Sequence, residues 1–417
     1  MESKNIFPKY LGKAKHLCVR LVRIALPPLD VFYINYAARK MGNIVVKAEP
    51  VSFDNYCNDT GSKMTIIENE QDRIVYEPAY FGKTESKEHV FKSKPVYIAE
   101  LRNAIVLGGT GLVLSNDKVL TDICANDTDN RVKYVSGAIR RANKKCFYME
   151  VNPDIENIDA AINLCGLAAT NYYHLTFEIL SRYGYVKDYL DDGSIPVLID
   201  AGIQKYPQFV ELVKYIIGER QVVYVPEYKR IHCNKLIQTS MNTWMPMNVR
   251  KKNDFRISDN LIAKSAVDNI REATTNYRLE KGNKKIFISR KNASLSRVIN
   301  EAEVAELFKQ NGFEIICTED LSYKEQVELF SSASCIVGAS GAALTNLVYC
   351  KPGAVFGCII PMKYEFCIYS SIAHMVGCSV LFLDAKIARY AVAISAEQCR
   401  VDIVECQKYI NELSNLI

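Results

Sequence analysis

The sequence predicts an α/β protein built of two halves. Three observations carry this: helices and strands alternate from about residue 160 onward, a polar stretch from Met245 to Asp254 interrupts the alternation once, and a strand-rich segment precedes it. Alternation of this kind argues for parallel sheets covered by helices. The length of 417 residues suits two or three domains, and 49% hydrophobic residues supply a sizeable core. No run reaches the roughly 18 apolar residues that cross a bilayer, and no signal-peptide pattern opens the chain, so the cytoplasm is the expected compartment. Lys plus Arg of 52 against Asp plus Glu of 47 gives +5. Read as spread along the length, that excess is too weak to argue for nucleic acid. Fourteen cysteines and five histidines show no zinc spacing, so the thiols are expected as buried small hydrophobes and no metal site is expected.

Residues 1–40 read as a basic helical segment, with Lys9, Lys13, Lys15, Arg20 and Arg23 among leucines and an end at Pro27-Pro28. Such a segment suits peripheral contact with an anionic membrane, or packing on its own domain. Residues 41–245 form the first α/β domain. Its extension to about residue 150 shows short alternating runs and turn residues, and Gly108-Gly109-Thr110-Gly111 reads as a hairpin turn because the lysine of a phosphate loop is missing. A helix near Tyr172 to Tyr183, a strand ending at Asp200, a helix from Pro207 to Gly218 and a strand Val222 to Val225 follow. Residues 255–390 form the second domain, in which Lys285 to Ser289, Phe313 to Cys317 and Cys335 to Val337 are strands. Asn300 with Glu303 and Ser322 with Glu325 mark helix starts, and Gly312 marks a stop, giving a βαβαβ unit. A last helix is expected over 395–417.

Ligands in open parallel sheets bind beyond the carboxyl ends of strands. Two loops stand there. Gly338, Ser340, Gly341 and Ala342, with Thr345 and Asn346, open a helix whose free amides could receive a phosphate, unless the small residues serve only close packing. Ser289, Arg290 and Arg297 could hold phosphate oxygens, or form a solvated loop. In the first half, Asn171, Tyr173, His174 and Glu178 group an aromatic cluster around one histidine, the side chain suited to taking a proton near neutrality. A hydrogen-bonded core histidine is the alternative. The Gly-x-Gly-x-x-Gly dinucleotide fingerprint after a first strand, with an acid about 20 residues later, is absent, which argues against an oxidoreductase.

At these residues the chain resembles glycosyltransferase family sixty-one. The resemblance covers about residues 95 to 385 and rests on the order of Asn171-Tyr172-Tyr173-His174, Ser289-Arg290, Asn300-Glu301, Gly312-Phe313-Glu314, Leu321-Ser322, the Gly338 to Asn346 loop and Lys351-Pro352-Gly353. It implies a GT-B-like architecture, two Rossmann-like domains facing across a cleft, here with an N-terminal strand-rich extension. It also implies inverting transfer, without a metal, from a nucleotide-sugar donor held by the second domain to a hydroxyl of a glycan acceptor. A UDP-sugar is the expected donor, no further cofactor is expected, and bacterial capsule or other surface polysaccharide synthesis is the expected setting. His174 matches the base, or an acceptor anchor. The chain departs from the family where Ser340 replaces a usual histidine and Cys358 a usual acid. The rival expectation is a non-catalytic glycan- or nucleotide-binding scaffold of the same fold.

Overall fold

The computed structural model describes residues 27–83, 85–122, 137–143, 145–187, 189, 193–243, 245–246, 255–280, 282–293, 296–391 and 397–417. The basic stretch before Pro27 and the polar linker over 247–254 lie outside the described residues. In chain order the first half comprises α1 (Pro27–Lys40), β1 (Ile44–Val51), α2 (Phe53–Thr60), β2 (Lys63–Glu68), β3 (Asp72–Glu77), β4 (Lys87–Lys92), β5 (Val96–Leu107), β6 (Leu112–Ser115), β7 (Lys118–Leu120), β8 (Ile139–Asn143), β9 (Cys146–Val151) and β10 (Ile155–Asn163). A helical stretch follows, π-helical over His174–Ile179, 3₁₀ over Leu180–Arg182 and α-helical as α3 over Tyr183–Val186. Then come β11 (Val197–Asp200), α4 (Pro207–Ile217), β12 (Val222–Val225) and β13 (Arg230–Thr239).

Eleven of these strands form one sheet in the order β12-β11-β10-β13-β5-β6-β7-β1-β9-β8, with β2 also on β5. Strands β12 to β13 of that order are parallel to one another, and β13 pairs antiparallel with β5. The strand-rich region is therefore continuous with the parallel part, not an appendage to it. Gly108 to Gly111 turns β5 into β6 as a hairpin. Only glycine fits at Gly108, where a Cβ would lie 2.2 Å from the Pro226 carbonyl oxygen.

The second half comprises α5 (Lys264–Ala273), β14 (Lys284–Ile288), α6 (Glu301–Gln310), β15 (Glu314–Ile316), α7 (Tyr323–Ser332), β16 (Ala333–Ala339), a 3₁₀ helix (Ala342–Tyr349), β17 (Val355–Ile359), α8 (Ile368–Val376), β18 (Ser379–Leu383), β19 (Lys386–Arg389), β20 (Gln398–Arg400) and α9 (Ile403–Leu416). Its five-stranded sheet runs β15-β14-β16-β17-β18, parallel throughout. That is a doubly wound order, with its switch point between β14 and β16. Phe287, Val337 and Val355 pack on one face with Phe308 of α6 and Tyr409 of α9. Ile286, Ile288, Ile336 and Phe356 pack on the other, in a cluster that also holds Ile162, Val197 and Ile199 of the first sheet and Tyr172 and Ile270 between. The two sheets thus share one apolar core through the helices that separate them.

The hairpin of β3 and β4 leaves the first half and lies on α8. The Tyr76 N–H donates to Ser371 Oγ (3.1 Å), the Ser370 hydroxyl donates to the Tyr76 carbonyl (2.5 Å), and the Tyr76 ring stacks on His374 with centroids 4.3 Å apart. Beyond β3, Phe81 and Ala79 exchange backbone hydrogen bonds with Phe382 (both 2.9 Å), so the arm extends the outer edge of β18.

Several local readings change. Pro27 and Pro28 open α1, since proline suits the first helical turn, whose N–H has no intrahelical partner. Asn300 precedes α6 without capping it; its amide instead donates to Glu303 and to the Val401 carbonyl. The last helix begins at Ile403, not 395, because residues 398–400 pair with 386–389 and Asp402 then caps the Val404 and Glu405 N–H groups (both 3.0 Å). The twelve cysteines among the described residues are free and buried. Among the described residues no helix is long and apolar enough to cross a membrane.

Candidate functional site

The carboxyl edge of the second sheet gathers both predicted loops. After β14, Ser289 Oγ donates to Glu301 Oε1 (2.9 Å) and the Arg290 N–H donates to the same oxygen, so the first residue of α6 braces the strand end. The Arg290 side chain then lies across Gly341, where a Cβ would sit 1.8 Å from Nη1. Glycine at 341 is thus what lets the guanidinium lie on the loop backbone; the position is extended, so no strain is involved. Arg297 is anchored by its carbonyl, which accepts the Cys399 N–H at 2.8 Å. Burial, and then the neighbouring Arg290 charge, pull its pKa below the ordinary guanidinium value. Two guanidiniums that repel one another beside a backbone loop form a place where an anion with two negative charges lowers the local energy.

The loop divides. Ser340, Gly341 and Ala342 are partly exposed, and the Ser340 N–H donates to the Ile359 carbonyl (3.1 Å). Gly338 packs on Ile288 and Leu344, with 3.1 Å of room for a Cβ at each, which is the close-packing role. Asn346 is not at the loop surface. It is fully buried, with Oδ1 accepting from the Tyr172 hydroxyl (2.5 Å) and Nδ2 donating to Gln326 Oε1 (2.7 Å), a polar strut between the halves. Thr345 is buried too, its Oγ1 without a hydrogen-bond partner. The helix after Gly341 is 3₁₀ rather than α. Cys358 lies inside β17, wholly buried, and burial raises its thiol pKa well above the ordinary value. A carboxylate at that point would be costly to ionise.

On the first-half side, Asn171 starts the site helix by accepting the Tyr173 N–H at Oδ1 (3.0 Å), so it acts as a cap at an exposed position. His174 and Glu178 stand four residues apart on the π-helical turn, a geometry often found at functional sites. His174 Nδ1 lies 2.7 Å from Glu178 Oε2, and Glu178 Oε1 accepts the Met245 N–H at 2.6 Å. Both side chains are about 4% exposed. The carboxylate fixes the proton on Nδ1 and leaves Nε2 as the basic nitrogen. The Tyr173 ring meets the imidazole edge-on at 5.3 Å, and its hydroxyl is buried without a hydrogen-bond partner. That phenol feels the charges of Glu178 and Tyr369, which with burial, the larger cause, raise its pKa.

Tyr369, in the first turns of α8, links the two sides. Its hydroxyl donates to the Gly341 carbonyl (2.6 Å), and it lies within electrostatic reach of Arg290 and Arg297. Sequence reading missed it and Glu301. The signal for both was position, each opening a helix that follows a strand of the same sheet. On the far side of Glu178, a cavity of about 50 Å³ is lined by Asp122, Cys165, Arg182 and Thr239. It has room for about one or two waters and none for a sugar ring.

Residues 172–357 match the family model for Glycosyltransferase 61. Over those residues, a little under half of the chain, the protein is similar to glycosyltransferase family 61. The match takes in His174, Glu178, Ser289, Arg290, Arg297 and the loop from Gly338 to Asn346, and it ends one residue before Cys358. A match to this family supports a transferase. No curated protein matches the chain.

Proposed function

We propose that the protein is an inverting, metal-independent glycosyltransferase of GT-B-like architecture that moves a sugar from a nucleotide-sugar donor, a UDP-sugar in the first instance, to a hydroxyl of a glycan acceptor. Its setting is bacterial capsule or other surface polysaccharide synthesis, in the cytoplasm and peripheral at the inner face of the membrane. The observation that carries this reading is the Arg290 guanidinium lying on Gly341 with Arg297 beside it, at the carboxyl edge of a doubly wound sheet. In this reading Arg290, Arg297 and the 340–342 backbone neutralise the departing diphosphate. His174 Nε2 takes the proton of the acceptor hydroxyl as its oxygen attacks the anomeric carbon, and Glu178 holds the imidazole in the required tautomer. Tyr173 and Tyr369 set the boundary between acceptor and donor sides.

The test is turnover of UDP-, GDP-, ADP-, CMP- and dTDP-sugars by purified protein with glycan acceptors, in chelator and in magnesium. His174→Ala is expected to lose about 10²- to 10⁴-fold in kcat. Glu178→Gln is expected to lower kcat. Full turnover by His174→Ala would remove it as the base.

A second reading, a non-catalytic scaffold of the same fold, is favoured by Cys358. The position of the family's acid here is a wholly buried strand residue, and its thiol supplies no carboxylate for a ribose. Donor-dependent thermal stabilisation without turnover in any donor and acceptor combination would decide for it.

A further inference from the structure

The outward face of α1 carries large aromatic side chains in exposed positions. Phe32 is 70% exposed, Tyr36 50% and Tyr33 45%, and Met41, just past the helix, is 73% exposed. At 100° per residue, Phe32, Tyr33, Tyr36, Arg39 and Lys40 fall within an arc of about 120°, while Ile34 and Ala38 point the other way and are buried. Aromatic rings and cations thus share one face, with the Lys40 ammonium 4.8 Å above the Tyr36 ring. No carboxylate is among the five. The charge of the chain is distributed to match: residues 1–26 hold six lysines and arginines against one glutamate, so the whole excess of +5 sits in this segment and the remaining chain is neutral. The even spread read from the totals is therefore replaced by a single cationic stretch leading into α1.

We propose that this face of α1 docks on an anionic phospholipid bilayer, with Phe32, Tyr33, Tyr36 and Met41 in the headgroup region and Arg39 and Lys40 on lipid phosphates. Amphipathic rings favour the boundary between apolar and wet layers, long basic side chains keep their charge at that level, and neighbouring positive charge adds attraction to an anionic leaflet. A protein partner would have to supply a matching acidic patch to the same face. A second copy of the chain would set like charges against one another.

The inference deepens the membrane-peripheral placement proposed above and asks nothing of the transfer chemistry. The experiment is co-sedimentation of the full-length chain with phosphatidylcholine vesicles, with and without phosphatidylglycerol. Binding is expected only with phosphatidylglycerol and is expected to fall as salt rises. Phe32→Ser with Tyr36→Ser should weaken it by more than about tenfold, and Arg39→Gln with Lys40→Gln by about fivefold per residue. Both variants should keep the parent's unfolding midpoint and solution mass. No binding, binding indifferent to phosphatidylglycerol, or variants that bind like the parent would overturn the proposal. A lowered midpoint, or a change in mass by light scattering, would overturn it in favour of a face covered by the chain itself or by a second copy. Vesicle binding is read without turnover, so docking can fail while the transferase reading stands, and the reverse.

Discussion

Replacing Asp200 with asparagine is expected to erase a pH dependence that this one carboxylate builds into the fold. Asp200 ends β11 in a buried position, where its two oxygens accept the Gly109 and Gly166 N–H groups. Burial outweighs those bonds and the nearby Arg182 charge, pushing its pKa from 3.8 to about 6. A shift of about two units is worth roughly 3 kcal/mol. The folded chain therefore holds this proton more tightly than the unfolded chain does. Below about pH 4 both states are protonated and the group adds no penalty. Between about pH 4 and about pH 6 the unfolded chain releases its proton first, so stability falls by up to roughly 3 kcal/mol, and above that range the loss is complete. Asparagine does not titrate, and its NH₂ faces one of the two donors at every pH, costing about 1–3 kcal/mol throughout. The variant should therefore be less stable than the parent near pH 4 and about level with it near pH 7. Urea unfolding followed by circular dichroism, parent and variant side by side across that range, measures the difference while other titrating groups cancel. A difference that stays flat would refute the reasoning from burial.

Gly341→Ala places a methyl group where the Arg290 guanidinium lies, and because the obstacle is the far end of a flexible side chain the fold should tolerate it. Donor KM is expected to rise at least about tenfold, with an unfolding midpoint close to the parent's. Tyr172→Phe removes the hydroxyl that satisfies Asn346 and leaves a buried carbonyl unpaired, an expected loss of about 1–3 kcal/mol by denaturant titration. Gly357→Ala would set a Cβ 2.2 Å from the Tyr409 hydroxyl, displacing α9 from its 2.7 Å bond to Leu381. A destabilisation of about 1–3 kcal/mol is expected, with little change in nucleotide binding.

What the sequence disclosed followed from how local each signal was. The Ser322 and Glu325 capping box forms as written, and Gly312 ends its helix at a φ of 81°, because both depend on residues within one turn. The strand ends carrying Ser289 and Gly341 were legible for the same reason. Asn346 was not. It stands in the same loop as Gly341, and only the arrival of Tyr172 and Gln326 decides that its amide is spent on the interior. The segment before Ile403 misled because pairing of 398–400 with 386–389 overrides a helical pattern that those residues carry on their own. Tyr369 offered only its position at the start of a helix after a strand: its place beside Gly341 is set by the sheet, not by its neighbours in the chain.

The arm formed by β3 and β4 has a consequence for how the chain is made. Tyr76 is bonded to Ser371, 295 residues later. At roughly 5–20 residues per second on the ribosome, the hairpin emerges some 15–60 seconds before the helix it rests on exists. For that interval its Tyr76 face and strand edges have nothing to cover them, and unpaired edges invite pairing with other nascent chains. A gene fragment ending at the linker would make that interval permanent. Expressed alone, the first half should therefore collect in the insoluble fraction, and co-expression of the second half as a separate chain should return it to solution.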